Sequence, residues 1–379
     1  MTAPLVLFLS NAHPPDDPRT VRKEGAALAG AGWRVLHLCP GRGPHPPVGA
    51  VGVETFRRRG GWAGRILALP GLIRRARRLS PAAIHAQEPD SWLAALAAAR
   101  LCGARAVLDV HEHYPSRLDS RLPAPLRPAA RAAVRLACRA MGRAADAVVV
   151  AKDGLAPDFA GARRIVAVRN YAPLPPLPPR RHRPGPITLV HLGALSAARG
   201  AFRMLEALSL APPGTRLLLI GRFTDDSAPR FAAEAEARGL AGRIEQTGWL
   251  PQEAALARAA EADVGLVLFQ RGEENHRLAL PHKLFDCMAL GLPVIVPDFA
   301  EEVSRAVAEA GCGIALDPAD PRAIAAALAR LADPALRARL GAAGREAVRT
   351  RFSWPAEAAR LVGLYDELLP RPAAPARAA

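Results

Sequence analysis

The sequence has no long apolar run. None of its 379 residues lies in a stretch that approaches the roughly 18 uninterrupted apolar residues needed to span a membrane. Its start, MTAPLVLFLSNAHPPDDPR, reaches acidic residues without a charged leader or a cleavage site. We therefore expect a soluble, cytoplasmic protein.

Cysteines are few and show no pairing pattern. The five are scattered, odd in number and form no C-x-x-C pair, which fits a reducing compartment and no zinc site. His111 and His113 form an H-x-H that could chelate a metal, yet no third ligand stands at a suitable spacing. We expect neither a metal nor a cofactor.

Acidic and aromatic residues are both scarce. Lysine and arginine number 51 against 35 acids, for a formal charge of +16 that comes almost wholly from arginine. Such a charge suggests nucleic-acid binding, but aromatics make up only 5% of the chain and no zinc-finger, RRM or KH signature is present. We expect no nucleic-acid partner. A phosphate-rich small ligand or an anionic membrane suits the charge better.

Length and pattern predict two α/β domains. Short β-branched or leucine-rich runs alternate with alanine-rich helical stretches, as in parallel sheets covered by helices on both faces. Seven of the fourteen residues at 173–186 are proline, which predicts a stiff linker. The predicted parts are a Rossmann-like domain at 1–172, the linker, a second such domain at 187–352, a helix at 353–369 that could cross back to the hinge, and a disordered tail at 370–379.

Six strands are expected in each half. They are PLVLFLS, WRVLHLC, AAIHAQ, ARAVLDVH, DAVVVAK and RIVAVRN in the first, and ITLVHLG, TRLLLIG, RIEQTGW, DVGLVLF, LPVIVPD and GIALD in the second. Ligands of such sheets bind beside the carboxyl ends of the strands.

The segment EENHRLALPHKLFDCMALGLPVIVP, residues 273–297, carries the strongest chemical signal. Pro281 opens a helix, Lys283 lies in its first turn and Gly291 ends it. Free N–H groups, the helix dipole and the Lys283 ammonium together suit a diphosphate, and Asp286, one turn deeper, suits ribose hydroxyls. Alternatively, Lys283 and Asp286 form an ordinary i,i+3 surface ion pair, and spacing alone does not separate the two interpretations.

This segment closely resembles a known motif. P-x-K-L-F-D-x-M-A-x-G-x-P-V-I is similar to the P-N-K-L-F-E-Y-M-A-x-G-x-P-V-I of retaining GT-B glycosyltransferases of family four. The resemblance extends to DPRT, IHAQEPDSWLAALAAARLCGARAVLDVHEHYP, HLGALSAARGAFRMLEAL and LLLIGRF. It implies an α/β fold of GT-B type, with two Rossmann-like doubly wound domains facing a central cleft. It also implies a nucleotide-sugar donor bound mainly by the C-terminal domain and an acceptor bound mainly by the N-terminal domain.

The resemblance also implies roles for single residues. His111, Arg199 and Lys283 are the implied catalytic residues. The implied donor-binding residues are Gly193, Arg199, Arg222, Lys283 and Asp286. Weaker candidates for an acceptor or sugar pocket are Arg19, His113, Glu273 and Asn275. Without the resemblance, Arg199 would be interpreted as a solvated side chain, His111 as structural and Arg19 as part of a helix-capping segment with Asp17.

The chain departs from the family pattern at two points. The glycine-rich loop after the first strand is replaced by NAHPPDDPR at 11–19, which cannot approach a phosphate as closely. Of the family's two acids eight residues apart, only the second is present, as Asp286. The first position holds Leu278, and Glu273, Glu274 or Asn275 are possible replacements.

The resulting prediction is a glycosyltransferase of polysaccharide biosynthesis. It would transfer a sugar from a nucleotide-sugar to a glycan or lipid-linked acceptor with retention of anomeric configuration, and without metal, since basic groups neutralise the leaving diphosphate. No Asp-x-Asp occurs that would hold a metal ion, and no G-x-G-x-x-G stands where a dehydrogenase needs it. A nucleotide-sugar epimerase of the same architecture is the alternative enzyme. A nucleic-acid-binding protein is the alternative of another class, and it rests on charge alone.

Two arginine-rich stretches predict docking on the inner face of the cell membrane. Residues 57–79 carry eight arginines and no acid around Trp62, and a second set lies at four-residue intervals: Arg127, Arg131, Arg135, Arg139 and Arg143. Basic stripes with neighbouring apolar residues bind anionic headgroups. The alternative for the second set is a solvated helix face.

Overall fold

The computed structural model describes residues 3–370, which form two compact units. The first contains the residues up to Arg169 together with those from Pro355 on, and the second runs from Asn170 to Trp354. The limits drawn from the sequence were 172/173 and 352/353. All but the first residue of the tail predicted at 370–379 lies outside the described residues.

The strands of both units are short. They are β1 (Leu5–Leu9), β2 (Arg34–Pro40), β3 (Gly52–Phe56), β4 (Ala83–Ala86), β5 (Arg105–Val110), β6 (Ala147–Val150), β7 (Ile165–Ala167), β8 (Thr188–Leu192), β9 (Arg216–Ile220), β10 (Ile244–Gly248), β11 (Val264–Leu266), β12 (Val294–Pro297) and β13 (Gly313–Leu316).

Helices follow most strands. They are α1 (Ala26–Gly30), α2 (Gly61–Leu79), α3 (Pro89–Cys102), α4 (Arg127–Ala144), α5 (Ala201–Leu210), α6 (Ala228–Ala237), α7 (Gln252–Ala259), α8 (Glu274–Arg277), α9 (His282–Ala289), α10 (Glu301–Ala310), α11 (Pro321–Arg330), α12 (Pro334–Thr350) and α13 (Trp354–Leu368). A π-helical segment, Thr20–Gly25, leads into α1. None of these helices is long and apolar enough to cross a membrane.

Each unit is built on one parallel sheet with doubly wound topology. The strand order is β3-β2-β1-β4-β5-β6-β7 in the first unit and β10-β9-β8-β11-β12-β13 in the second. All neighbouring strands are parallel. The strand order reverses between β1 and β4, and between β8 and β11. Ligands of such sheets bind at these switch points, beyond the carboxyl ends of the strands.

The central strands are buried on both faces, which is why they are continuous apolar runs in the sequence. In β8, Val190 packs into the core on one face of the sheet and Leu189 into the core on the other. In β12, Val294 and Ile295 likewise pack into the cores on opposite faces of the sheet. All twelve strands predicted from the sequence are present in the structure.

Strand β3 escaped prediction. It pairs only with β2, at the edge of the sheet, and its first four residues are half-exposed. Its sequence, GVETF, consequently has no apolar run and begins with glycine, a weak strand former. An edge strand of this kind depends on its neighbour rather than on its own pattern.

The proline-rich stretch contains no helix or strand, and it packs along the second unit. The N–H of Arg180 donates to the carbonyl of Leu290 at 2.8 Å, and its guanidinium pairs with Asp263 at 3.0 Å. The Arg337 guanidinium donates to the Arg183 carbonyl at 2.7 Å. These contacts anchor the stretch to the sheet it precedes.

The last helix, α13, packs in the first unit through buried polar contacts. Tyr365 Oη lies 2.9 Å from Nδ1 of His85 on β4, and the two rings are stacked. The Glu357 carboxylate accepts the N–H of Arg169 at 2.8 Å. Both partners belong to the same unit as the helix.

A glycine allows α5 to begin close to the sheet. Gly200 has φ +86°, and a Cβ at this position would overlap the Leu268 carbonyl oxygen just beyond β11. A side chain would therefore suffer backbone strain and collide with backbone that cannot yield. This requirement accounts for the glycine after Arg199.

Gly200→Ala is expected to lower the free energy of unfolding by more than about 1 kcal/mol, because alanine is strained at positive φ and meets the Leu268 carbonyl. Gly242→Ala is the matched control in the same unit, since nothing lies within 4 Å of a Cβ there and its φ is ordinary. Urea unfolding of both variants measures the difference. Equal midpoints would show that the close approach costs nothing.

Candidate functional site

The switch point of the second sheet is lined by the loops after β8 and β11. Gly193 follows β8, and its N–H donates to the Ile220 carbonyl at 2.7 Å. After β11, the Gln270 N–H donates to the carbonyl of Ala198 at 2.8 Å, which ties the two loops together. Backbone contacts thus hold this edge of the sheet in place.

Two glycines bring the ends of β8 and β9 together. Gly193 has φ +89° and Gly221 has φ +143°, and a Cβ on Gly221 would overlap the Gly193 carbonyl. A Cβ on Gly193 would lie 3.9 Å from Lys283 Cε. Gly193 is exposed, so backbone and lysine present an open surface to a ligand.

Lys283 lies in the first turn of α9, as the sequence predicted, but its partner was unexpected. Its Nζ is 2.9 Å from Nε2 of His191, a buried residue near the end of β8. The aromatic ring of Phe269 lies 5.9 Å from the same ammonium. Lys283 is half-buried, and its amine points toward the switch point.

The Lys283 amine has an unusual protonation equilibrium. Loss of hydration and the neighbouring positive charge of Arg199 lower the pKa of Lys283 to about 7. Burial and the charge of Lys283 also lower the pKa of His191 well below its ordinary value. No carboxylate of the described residues forms an ion pair with Lys283 or Arg199, so positive charge here lacks a counterion.

Asp286 does not pair with Lys283. Its Oδ2 is 2.7 Å from Nδ1 of His282, four residues earlier on α9, and the carboxylate is almost fully buried. The simple i,i+3 ion pair is therefore excluded. Its contact with a ribose stays a prediction.

The loop between β11 and α9 contains the short helix α8. Glu273 is exposed and precedes α8, and Asn275 is half-buried within it. Leu278, at the position of the family's first acid, is buried. The His276 ring stacks on Phe269 with ring centres 4.8 Å apart. Roles of Glu273 and Asn275 at the sugar stay predictions.

Arg222 is exposed directly after Gly221. Its carbonyl accepts the N–H of Leu195 at 2.9 Å, which joins the loops after β8 and β9. Gly193, Arg199, Arg222 and Lys283 thus all follow or face carboxyl ends of strands in one sheet. These four predicted donor residues share one edge of the second unit.

In the first unit, His111 follows β5 at the carboxyl edge. Its Nε2 is 2.7 Å from Oδ2 of Asp109, which is fully buried. Burial alone would raise the pKa of Asp109, but the charges of Arg19 and His111 lower it well below the ordinary value. The Asp109 carboxylate is thus ionised, and its contact with Nε2 holds the orientation of the His111 ring.

Arg19 is paired with carboxylates inside the first unit, and its role in an acceptor pocket stays a prediction. The side chain is buried, and its NH2 lies 2.8 Å from Glu24 Oε1 and 3.1 Å from Asp109 Oδ1. Glu24, His85 and Asp109 are close enough together to hold a metal on distance alone. The Arg19 guanidinium between the two carboxylates already supplies the positive charge there.

His113 is likewise paired within the first unit. The residue is buried, with Nδ1 2.8 Å from Ser116 Oγ and Nε2 3.2 Å from Asp158 Oδ2. Both ring nitrogens are occupied. We therefore assign His113 to the packing of the loop after β5.

His13 was not among the predicted site residues, yet the structure places it beside His111. The two rings meet edge to face with centres 5.1 Å apart. Burial would lower the pKa of His13, but its bond to Asp17 at 2.9 Å and the charge of Glu88 raise it. No sequence signal pointed to His13. His191, in contrast, interrupts the apolar run of β8, which is a signal that the sequence does contain.

Comparisons with known proteins agree with this architecture. The family model "Glycosyl transferase 4-like domain" matches residues 18–176, and the model "Glycosyl transferases group 1" matches residues 178–347. No curated protein sequence matches this chain.

Several solved structures share the fold. Sucrose-phosphate synthase from Thermosynechococcus elongatus has a TM-score of 0.77 at 20% identity, covering 96% of this chain and 99% of its own. HepE of Anabaena, solved with UDP-glucose, has a TM-score of 0.70 at 14% identity and coverages of 96% and 100%. WaaG, a glycosyltransferase of lipopolysaccharide biosynthesis, has a TM-score of 0.65 at 17% identity and coverages of 94% and 99%.

The two doubly wound parallel sheets and these whole-chain similarities define an α/β protein of GT-B fold. The chain belongs to the group 1 glycosyltransferases, the family-four type that the motif around Lys283 predicted. The predictions of family and fold class are thereby confirmed.

Lys283→Met is expected to stabilise the protein, most strongly below about pH 7. The pKa of Lys283 is lowered to about 7 in the folded chain, against about 10.4 for a free lysine. Below about pH 7 the lysine is protonated in both the folded and the unfolded chain, and its unfavourable charge lowers the free energy of unfolding by the full amount. Between pH 7 and 10 this loss fades, because the unfolded lysine also loses its proton.

Urea midpoints of parent and variant at about pH 6, 8 and 10 provide the measurement. The gain should shrink as the pH rises. A variant less stable than the parent at pH 6 would show that the amine is not held in an unfavourable environment.

Proposed function

We propose that the protein transfers a sugar from a nucleotide-sugar donor to a glycan or lipid-linked acceptor, with retention of anomeric configuration. The observation that carries the proposal is the uncompensated positive charge of Lys283 and Arg199 beside the exposed backbone of Gly193. A diphosphate supplies the missing negative charge, and glycine backbone permits its close approach. The UDP-glucose in the HepE structure and the lipopolysaccharide pathway of WaaG support this choice of donor and acceptor class.

In the proposed mechanism, the bond between the anomeric carbon and the donor phosphate breaks as the acceptor hydroxyl attacks from the same face. The acceptor proton passes to the departing phosphate oxygen. Lys283 and Arg199 stabilise the negative charge that grows on the diphosphate, so the scheme requires no metal ion. The sequence singles out no dedicated carboxylate nucleophile, which favours the direct route.

Two further residues complete the proposal. Asp286 would accept hydrogen bonds from the ribose, with His282 holding its carboxylate. His111, oriented by Asp109, would contact the donor sugar. Because Arg19 also pairs with the Asp109 carboxylate, His111 offers the donor a hydrogen bond rather than a charge from Asp109, which suits a hydroxyl group better than phosphate.

Thermal stabilisation by UDP-, GDP- and ADP-sugars tests the donor class, because a ligand stabilises the folded state by RT ln(1 + [L]/Kd). With the donor identified in this way, Lys283→Met is expected to lower kcat/KM, because it removes about 2 to 4 kcal/mol of transition-state stabilisation. Lys152→Met, which removes a lysine from the other unit, is the control. Proton NMR of the product reports the anomeric configuration.

An unchanged kcat/KM in folded Lys283→Met would remove the diphosphate assignment. An inverted product would exclude retention. If the enzyme converts the donor to an epimeric nucleotide-sugar without any acceptor, it is an epimerase, and the transfer proposal fails.

We also propose that the first unit docks on an anionic membrane through the start of α2. Trp62, Ile66 and Leu67 are 58%, 60% and 66% exposed on this helix. Three arginines lie nearby in an open groove of about 480 Å³ at the ends of β2 and β3: Arg42, Arg57 and Arg58. Exposed apolar side chains beside basic groups match an interface of acyl chains and anionic headgroups.

The second arginine set contributes less than its spacing suggests. On α4, Arg131 donates to Asp119 at 3.0 Å and Arg135 to Asp158 at 2.8 Å. These arginines are half-buried and already paired. We therefore leave Arg131 and Arg135 out of the docking surface and place it at the start of α2 and the adjacent groove.

Co-sedimentation with vesicles tests the docking. Binding to vesicles with anionic lipid should exceed binding to neutral ones and weaken as salt shortens the Debye length. Trp62→Ala should weaken binding roughly tenfold, which corresponds to about 1.4 kcal/mol. Trp249→Ala is the matched control, since Trp249 is 66% exposed in the other unit. Equal losses in both variants, or no binding at low salt, would contradict the proposal.

A further inference from the structure

His191 is a polar residue in the buried, otherwise apolar part of a strand, residues 189–192. It lies in β8, where its neighbours Val190 and Leu192 pack into the core. A buried imidazole is costly unless its nitrogens are used. Its Nε2 lies 2.9 Å from Lys283 Nζ, which is the one hydrogen-bonding contact of this nitrogen with a side chain among the described residues.

The chemistry of the contact determines which group donates. An ammonium can only donate, so Nε2 of His191 must be unprotonated to accept from charged Lys283. The Ala194 carbonyl, 3.2 Å from the same nitrogen, can accept only when the ring carries its proton there and the lysine is neutral. The contacts of Nε2 therefore allow two hydrogen-bonding states that differ by one proton.

The surroundings of Lys283 contain no group that fixes its charge. Arg199 faces it from the loop after β8 and repels it, and Phe269 presents only a ring. On α9, Asp286 is bound to His282, and the thiol of Cys287 stays protonated because burial raises its pKa to about 12. A bound dianion is the missing partner that would favour the charged amine.

We propose that His191 is a positioning residue, which directs Lys283 at the donor diphosphate, and that the lysine–histidine pair takes up a proton from solvent when the diphosphate binds. The inference rests on the proposed donor site. Above neutral pH the amine of the free enzyme is mostly neutral, and on binding it gains the proton that makes it the ammonium in contact with the phosphate oxygens. Affinity for the diphosphate should consequently fall as the pH rises above neutral.

The small number of lysines makes the titration directly observable. The chain contains three, Lys23, Lys152 and Lys283. In protein labelled with ¹³C-lysine, the Lys283 signal is assigned by its absence from Lys283→Met. We expect its Cε shift to titrate near pH 7 in the parent protein.

Two substitutions separate positioning from packing. His191→Phe fills the same space without an acceptor, so the Lys283 midpoint should move to lower pH and diphosphate affinity at neutral pH should fall. His191→Gln places an amide oxygen near the position of Nε2 and should restore much of both. If His191 only filled space, His191→Gln would not have a higher diphosphate affinity and a higher Lys283 midpoint than His191→Phe.

Calorimetry with UDP-, GDP- and ADP-glucose, whose diphosphate carries no group that titrates near pH 7, in buffers of different ionisation enthalpy counts the protons exchanged by the protein. At about pH 7 the parent should take up about half a proton per diphosphate, since its lysine is about half protonated there. His191→Phe should take up more while binding more weakly. Binding that is independent of pH in the parent protein would overturn the proposal.

The outcomes distinguish this inference from the proposed function. If Lys283→Met binds each diphosphate like the parent protein, the donor site itself is wrong. If Lys283→Met loses binding while His191→Phe keeps the parent affinity and the parent lysine midpoint, only the role of His191 is wrong. Should His191→Phe not fold, a parent lysine that titrates near its ordinary pH, or a folded His191→Gln with the affinity of Lys283→Met, would still overturn the proposal.

Discussion

The positive charge of Lys283 has no counterion within the second unit, and the local structure keeps it so. Asp286, the nearest acid on the same helix, is held by His282. His191 meets the amine with a neutral acceptor rather than a carboxylate. A carboxylate in either place would satisfy the lysine internally and compete with an anionic ligand. Leaving Lys283 without a counterion lowers the stability of the folded chain, which is the usual consequence of preorganising a charge for a ligand.

In the first unit, by contrast, the charged groups at this edge are paired. At the same edge of a similar sheet, Glu88 accepts hydrogen bonds from Ser10 and Ser91, and Asp109 is compensated by Arg19 and His111. Buried charges survive only when they are paired and hydrogen-bonded. The two units therefore share a topology but present different electrostatics, which is consistent with one binding an anion and the other a polar, uncharged group.

The arginine excess does not form one continuous surface. On α4, Arg131 and Arg135 pair with acids of the first unit. The start of α2 combines basic groups with the exposed side chains of Trp62, Ile66 and Leu67. Net charge accordingly says little about partners until the paired residues are separated from the unpaired ones.

The sequence by itself determined the elements whose physics is local. Buried strands appear as apolar runs, Pro281 marks the start of α9, and Gly291, at φ +76°, ends it. The motif around Lys283 even indicated the family. The edge strand β3 has no such pattern, because its neighbour stabilises it. Tertiary structure alone decided that Lys283 meets His191, 92 residues away, and that Arg19 is buried rather than exposed. Pairing across a fold depends on which strands lie side by side, and spacing along the chain does not contain that information.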